Sequence, residues 1–259
     1  MMNILYELYI YFVIFVFGTV MGSFLDVVAV RLSKEESILW PGSHCDSCNH
    51  KLKWYENVPI ISYLVQKGKC RSCGARIPVS SLLIEVITGV LYCTSYHSFG
   101  FSYEFVISLI FISSLVAIIV ADIEYMIIPD EIIGVAGILI ISLEWIFYGL
   151  EYAADKVIAG VLAFVLMYVI KLIGDRLFKK ESMGGGDIKL MFLFGIVIGF
   201  PLSICDIFLA TFIAFPVAVF MLLRRKDNLI PFGPFLAMAS ILINISKVSI
   251  DSIINFLIK

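Results

Sequence analysis

Charge is scarce in this chain. Only 15% of its 259 residues are Asp, Glu, Lys or Arg, against about 25% in an ordinary soluble domain. That shortage excludes a soluble globular domain, and a hydrophobic share of 61% points to a protein made for lipid. No Lys or Arg precedes Arg31, so the first apolar run lacks the basic region of a secretory signal. It is expected to stay as a membrane helix. A net charge of −2 offers nothing to nucleic acid. Low-complexity linkers and internal repeats are missing, and no strand–GxGxxG–helix pattern marks a nucleotide-like cofactor. Histidine is rare. His44 and His50 flank a cysteine pair as spare ligands, His97 is expected as an interface residue in an outer loop, and none has a catalytic partner pattern.

What is present is a series of long apolar runs. A spanning helix needs roughly 20 apolar residues. Candidate spans cover 4–30, 81–98, 104–121, 131–149, 156–174, 188–204, 206–223 and 233–250. The chain therefore reads as an all-α polytopic membrane protein of about eight transmembrane helices, with seven the competing count. The least secure break is the short one around Pro201–Asp206. Three parts are expected: a first transmembrane helix (1–30), a polar loop domain (31–80) and a transmembrane core (81–259).

Basic residues give the orientation, because loops rich in Lys and Arg stay cytoplasmic. Segment 31–80 holds Arg31, Lys34, Lys51, Lys53, Lys67, Lys69, Arg71 and Arg76. Lys171, Arg176, Lys179, Lys180, Lys189, Arg224, Arg225 and Lys226 fall on the same side if the N-terminus is outside. Only Lys156, Lys247 and Lys259 are left for the other face.

Two aspartates end up at one depth in this topology. Asp122 closes the third span and Asp187 opens the sixth, both toward the cytoplasm. A carboxylate at a membrane edge is costly unless protonated, paired or wet, so its default reading is functional. Asp122 precedes Ile128-Pro129, where the chain should leave the helix and expose backbone that could hold an extended peptide. Asp130 reads as a cap of the fourth span. Asp187 follows Gly184, Gly185 and Gly186 and stands two residues before Lys189. A simple cap does not need three glycines, which permit positive φ and close backbone approach. If the carboxylates meet, one proton is shared between them. The ionised member can then activate water while the protonated one polarises a carbonyl, and either aspartate can take either part.

Cys45-x-x-Cys48 and Cys70-x-x-Cys73 suit one tetrahedral structural zinc, on a side where disulfides are disfavoured. A redox dithiol pair is the alternative. Cys93 and Cys205 lie in apolar runs as small buried hydrophobes.

The chain resembles the prepilin peptidases, or type IV leader peptidases, over nearly its whole length. The resemblance rests on Gly22-Ser23-Phe24-Leu25-Asp26-Val27-Val28 with Arg31-Leu32, the four cysteines, and Trp54-Tyr55-Glu56-Asn57-Val58-Pro59. It continues with Pro78 and Glu85, Asp122 with Ile128-Pro129, Gly184 to Lys189, and Pro231-Phe232-Gly233-Pro234-Phe235. The resemblance implies a membrane aspartyl protease of the GxGD type. Such an enzyme removes the basic leader of prepilins and pseudopilins after a glycine, at the inner membrane of a bacterium. It implies N-methylation of the new amino terminus with S-adenosylmethionine, catalytic aspartates at Asp122 and Asp187, and metal-linked cysteines at Cys45, Cys48, Cys70 and Cys73. Segment 51–76, basic and aromatic, is the only sizeable candidate for the methyl donor. One position departs: Asp26 stands where the family carries Asn, either pairing with a basic group or lining the cleft. A transporter using the intramembrane aspartates, and a non-catalytic scaffold with a zinc module, are the readings from other classes.

Overall fold

The structure is a computed structural model that describes residues 2–45, 47–224 and 230–248. Arg225, Lys226 and Lys259 of the charge asymmetry, and residues 249–250 of the last expected span, lie outside the described residues. The described residues form helices and no strand: α1 (Met2–Ser33), α2 (Ile61–Val65), α3 (Val79–Phe99), α4 (Tyr103–Tyr125), α5 (Asp130–Tyr148), α6 (Leu150–Phe178), α7 (Gly185–Ile198), α8 (Phe200–Leu223) and α9 (Gly233–Ser246). The helix α2 and a 3-10 turn at Trp54–Glu56 carry no apolar run long enough to show in the sequence. Six helices, α1, α3, α4, α5, α6 and α8, are long and apolar enough to cross a membrane. At 14 residues each, α7 and α9 reach only about 21 Å, short of the roughly 30 Å hydrocarbon core.

The described residues divide into two compact units, one ending at Gly100 and the other beginning at Phe101. In the first, α1 and α3 pack antiparallel: Tyr11 meets Tyr96 at 5.3 Å between ring centroids, and Phe17 meets Tyr92 at 5.8 Å. Lipid tails are as apolar as the helices, so close packing has to hold such a pair together. Gly18 and Gly22, four residues apart on α1, provide it. A methyl group at Gly18 would stand 2.7 Å from the Gly89 Cα, and at Gly22 2.9 Å from the Glu85 Cα.

In the second unit the two short helices and α4 are enclosed together. On α7, Leu190, Met191, Leu193, Phe194 and Ile196 are fully buried; α4 contributes Phe111, Ile112, Leu115 and Ile118. The Phe111 and Phe194 rings meet edge to face at 6.0 Å. By contrast α8 turns Phe208, Phe212 and Phe215 outward, as a lipid-facing helix would.

One break moves. The interruption expected at Pro201–Asp206 lies earlier, at Gly199, and the sixth expected span ends at Ile198 rather than 204. Gly199 has φ +85°, which L side chains avoid, and Pro201 sits in the first turn of α8, where its missing N–H costs no helical hydrogen bond. The proline thus starts a helix instead of ending one.

Where α6 crosses α7, a methyl at Gly195 would lie 2.5 Å from the Ala159 carbonyl oxygen and 2.6 Å from the Gly160 Cα. Both are backbone atoms and cannot step aside. Gly195→Ala is expected to destabilise the protein by about 1–3 kcal/mol in detergent unfolding. Gly134→Ala on α5, with open space at the same position, is expected to be neutral or slightly stabilising.

Candidate active site

Asp122 lies near the end of α4, and the helix stops three residues later as Met126 adopts the left-handed region (φ 55°). Asp187 lies in the first turn of α7. Both are buried, at 6% and 8% relative exposure. A carbon placed as Cβ on Gly233 would meet Asp122 Oδ2 at 2.5 Å and Asp187 Oδ1 at 3.3 Å. The two carboxylates therefore face a single point from two sides. The Gly233 N–H, at the start of α9, donates to Asp122. Both aspartates line a cavity of about 720 Å³ with Met126, Ile128, residues 181–186 and Ile230–Phe232.

The glycine turn works differently from expectation. None of Gly184, Gly185 and Gly186 has positive φ, and Gly185 has open space around it. Only Gly186 is sterically required: a Cβ there would lie 2.8 Å from the Ile128 Cβ. The wedge is Ile128, whose Cδ1 would also stand 3.1 Å from a Cβ on Gly233. Sequence reasoning singled out neither Ile128 nor Gly233 as a site residue, although both lie in quoted motifs. Glycine immediately before proline at a helix start was the available signal.

Two further expectations are corrected. Asp130 is the first residue of α5, and the N-cap position belongs to Pro129. Both its oxygens instead receive the Lys189 ammonium, at 2.7 and 2.6 Å. For the same reason Lys189, expected with the active-site turn, does not line the cavity of the aspartates; it lines an apolar groove among α5, α6 and α7 with Asp130.

The four cysteines converge. The Sγ atoms of Cys45, Cys48, Cys70 and Cys73 all lie within 4.8 Å of one another, with 3.9 Å between Cys45 and Cys73 and 4.0 Å between Cys48 and Cys70. A tetrahedral zinc with thiolate bonds near 2.3 Å would have edges of about 3.8 Å, so the set fits that metal. Two matching turns build it. The Cys45 N–H donates to the His50 carbonyl and the Cys70 N–H to the Ala75 carbonyl. The fifth residue of each turn is left-handed, Asn49 at φ 54° and Gly74 at φ 73°. Backbone N–H groups of Cys73 and Ser72 pull the Cys70 thiol down, while, against the pull of the His50 N–H, burial and the neighbouring sulfurs push the Cys48 thiol up, so the four sulfurs share charge unevenly. Glu56 ties the two turns together. It is buried, accepts from the Lys53 N–H at 2.9 Å, and faces His50 at 3.3 Å and Arg71 at 4.0 Å. Those bonds hold its carboxyl below the usual range, the Lys53 N–H foremost. His50 is thereby committed to Glu56, and the His44 ring lies 2.9 Å from the Gly42 carbonyl. His97 belongs to the last turn of α3 rather than to a loop and meets the Tyr11 hydroxyl at 3.1 Å.

Asp26 hydrogen-bonds to Ser81, not to a basic group. Beside it Glu85 accepts from the Ile60 N–H at 2.7 Å and bonds Ser23. Arg31, buried in the last turn of α1, donates to the carbonyls of Ser37 and Ile38.

Fold and site define a multi-pass helical membrane protein with an acid pair at one end of a bundle. Two family models match it: the Bacterial Peptidase A24 N-terminal domain over residues 16–99, and the Type IV leader peptidase family over residues 109–219. A prepilin leader peptidase/N-methyltransferase of Bacillus subtilis is 36% identical over 256 residues, covering 95% of this chain and 97% of that protein. One from Myxococcus xanthus is 35% identical over 183 residues, covering 70% and 54% respectively. One from Pseudomonas putida is 31% identical over 252 residues, covering 86% of each. No solved structure matches. The chain belongs to the type IV leader peptidase family and is an enzyme of that family.

Because a side chain on Gly233 would occupy the point both carboxylates face, Gly233→Ala is expected to lower peptidase turnover by about 100-fold or more while the protein still inserts. Activity of the purified variant, with its elution profile in detergent, checks this.

Proposed function

We propose that Asp122 and Asp187 are the catalytic pair of an aspartyl endopeptidase that removes the leader of prepilins or pseudopilins. The observation that carries this reading is the convergence of two buried carboxylates on one point at the wall of an open cavity. Like charges so close cannot both ionise comfortably, so the pair holds one proton between its two members. The ionised carboxylate takes a proton from a water lying between them, and that water attacks the scissile carbonyl carbon. The protonated carboxylate donates to the carbonyl oxygen as it gains charge. Return of a proton to the leaving nitrogen then completes hydrolysis. The Gly233 N–H holds Asp122 in place, and Ile128, in the stretch between α4 and α5, lines the cavity where a peptide would lie.

Cleavage falls after a glycine in this reading, at the cytoplasmic face of a bacterial inner membrane, with the N-terminus outside. The bias of Lys and Arg supports that orientation, and the names of the bacterial relatives support prepilin substrates. The division into a first transmembrane helix (1–30), a zinc module (31–80) and a protease core (81–259) is part of the same proposal. The relatives' names also carry N-methyltransferase, so methylation of the new amino terminus follows cleavage in this reading. S-adenosylmethionine would supply an electrophilic methyl group. Within segment 51–76, Trp54 is 82% exposed, and Lys53 and Arg71 stand over the Tyr55 ring at 5.8 and 5.3 Å. Aromatic faces beside cations suit an adenine and a carboxylate. The four cysteines would fill all four positions of a zinc ion, which leaves it a structural role.

Reconstituted with a prepilin and weighed by mass spectrometry, the wild-type protein is expected to release the leader. Asp122→Asn and Asp187→Asn are each expected to release none while still inserting, and wild-type cleavage by either variant removes this reading. Metal analysis is expected to find one zinc per chain. Cys70→Ser should lose it and open residues 31–80 to proteolysis.

A further inference from the structure

We propose that the Asp130–Lys189 ion pair is a positioning clamp that sets the spacing between Asp122 and Asp187. This inference rests on the reading of those two aspartates as the catalytic pair.

The chain from Asp122 to Asp130 is short and sharply bent. It leaves α4 at Tyr125, turns through left-handed Met126 and enters α5 at Asp130. Midway, Ile128 is wedged against Gly186 at the start of α7 and Gly233 at the start of α9. Asp122 holds the α4 end through its bond from the Gly233 N–H. Nothing in the wedge itself fixes the other end, because apolar contact has no preferred direction. The ion pair does. Lys189 is two residues beyond Asp187 on α7, and its ammonium meets both Asp130 oxygens, at 2.6 and 2.7 Å. The segment carrying Asp122 is thereby tied to the helix carrying Asp187 at a second point, on the far side of Ile128. Without that tie the first turn of α7 could shift along the wedge and change the gap between the carboxylates.

Lys189 and Asp130 do not line the cavity of the aspartates, so they act through position and not on the substrate. Their side chains are about half exposed, at 49% and 63%. An ion pair whose exposed side meets water adds little to overall stability. Its loss should therefore register in catalytic geometry before it registers in folding.

The test is a double-mutant cycle on the full-length protein in detergent or proteoliposomes, with prepilin as substrate. Lys189→Met and Asp130→Asn are each expected to lower kcat by about tenfold or more with KM within about twofold, since small misplacements of reacting groups are costly. The double variant is expected to lose no more than either single one, and Lys189→Arg should recover most of the rate. Unchanged kcat in both single variants, or losses that multiply in the double variant, would overturn the clamp. Should Lys189→Met fail to accumulate in the membrane, Asp130→Asn alone decides by the same criterion. If wild-type protein cleaves and only the clamp variants behave as wild type, the clamp fails and the proteolytic reading stands. If Asp122→Asn or Asp187→Asn cleaves, that reading fails first.

Discussion

Two carboxylates have to share one small space at the edge of a membrane, and the architecture around them follows from that demand. Bringing acidic groups together away from bulk water is unfavourable unless they share a proton and accept hydrogen bonds. The chain meets the requirement with backbone: the Gly233 N–H reaches Asp122, and no side chain stands at Gly233 to hold the acids apart. Ile128 uses the space left at Gly186 to lock the exit from α4 beneath the site. Glycine here provides room for side chains, Ile128 at Gly186 and both carboxylates at Gly233, and not flexibility.

The two helices that begin at the site are also the shortest in their unit, and both are largely enclosed. A helix too short to cross hydrocarbon must keep its ends against protein or water, because free backbone groups are not tolerated in lipid. Starting α7 and α9 at an open cavity leaves room for water at their first N–H groups. The longer helices α5, α6 and α8 turn many apolar side chains outward.

The cysteine module follows a different logic. A polar segment of this size buries little apolar surface, so it must be held by discrete ties. Paired turns aim four sulfurs at one centre, and buried Glu56 braces the turns through Lys53, His50 and Arg71. The brace uses charge and hydrogen bonds; the sulfur cluster has the spacing to hold a metal ion. Each organises the same loop from a different side.

Much of this was legible in the residues. Long apolar runs announce membrane helices because lipid imposes a length and excludes charge, and the two CxxC pairs announce a metal site because ligand spacing is local. Asp122 and Asp187 stood out for the same reason: an acid beside an apolar run is expensive wherever the run folds. The break at Gly199 was missed because Pro201 looked like an interruption, whereas a proline in a first turn is harmless. Asp130 looked like a cap because caps are local and ion pairs to a residue 59 positions away are not. Composition and local spacing therefore determined the class, the presence of several membrane helices and the four cysteines that gather. Which groups actually meet, Asp122 with Asp187 around Gly233 and Asp130 with Lys189, was decided by packing, since contact between distant segments depends on how helices cross and not on any pattern along one of them.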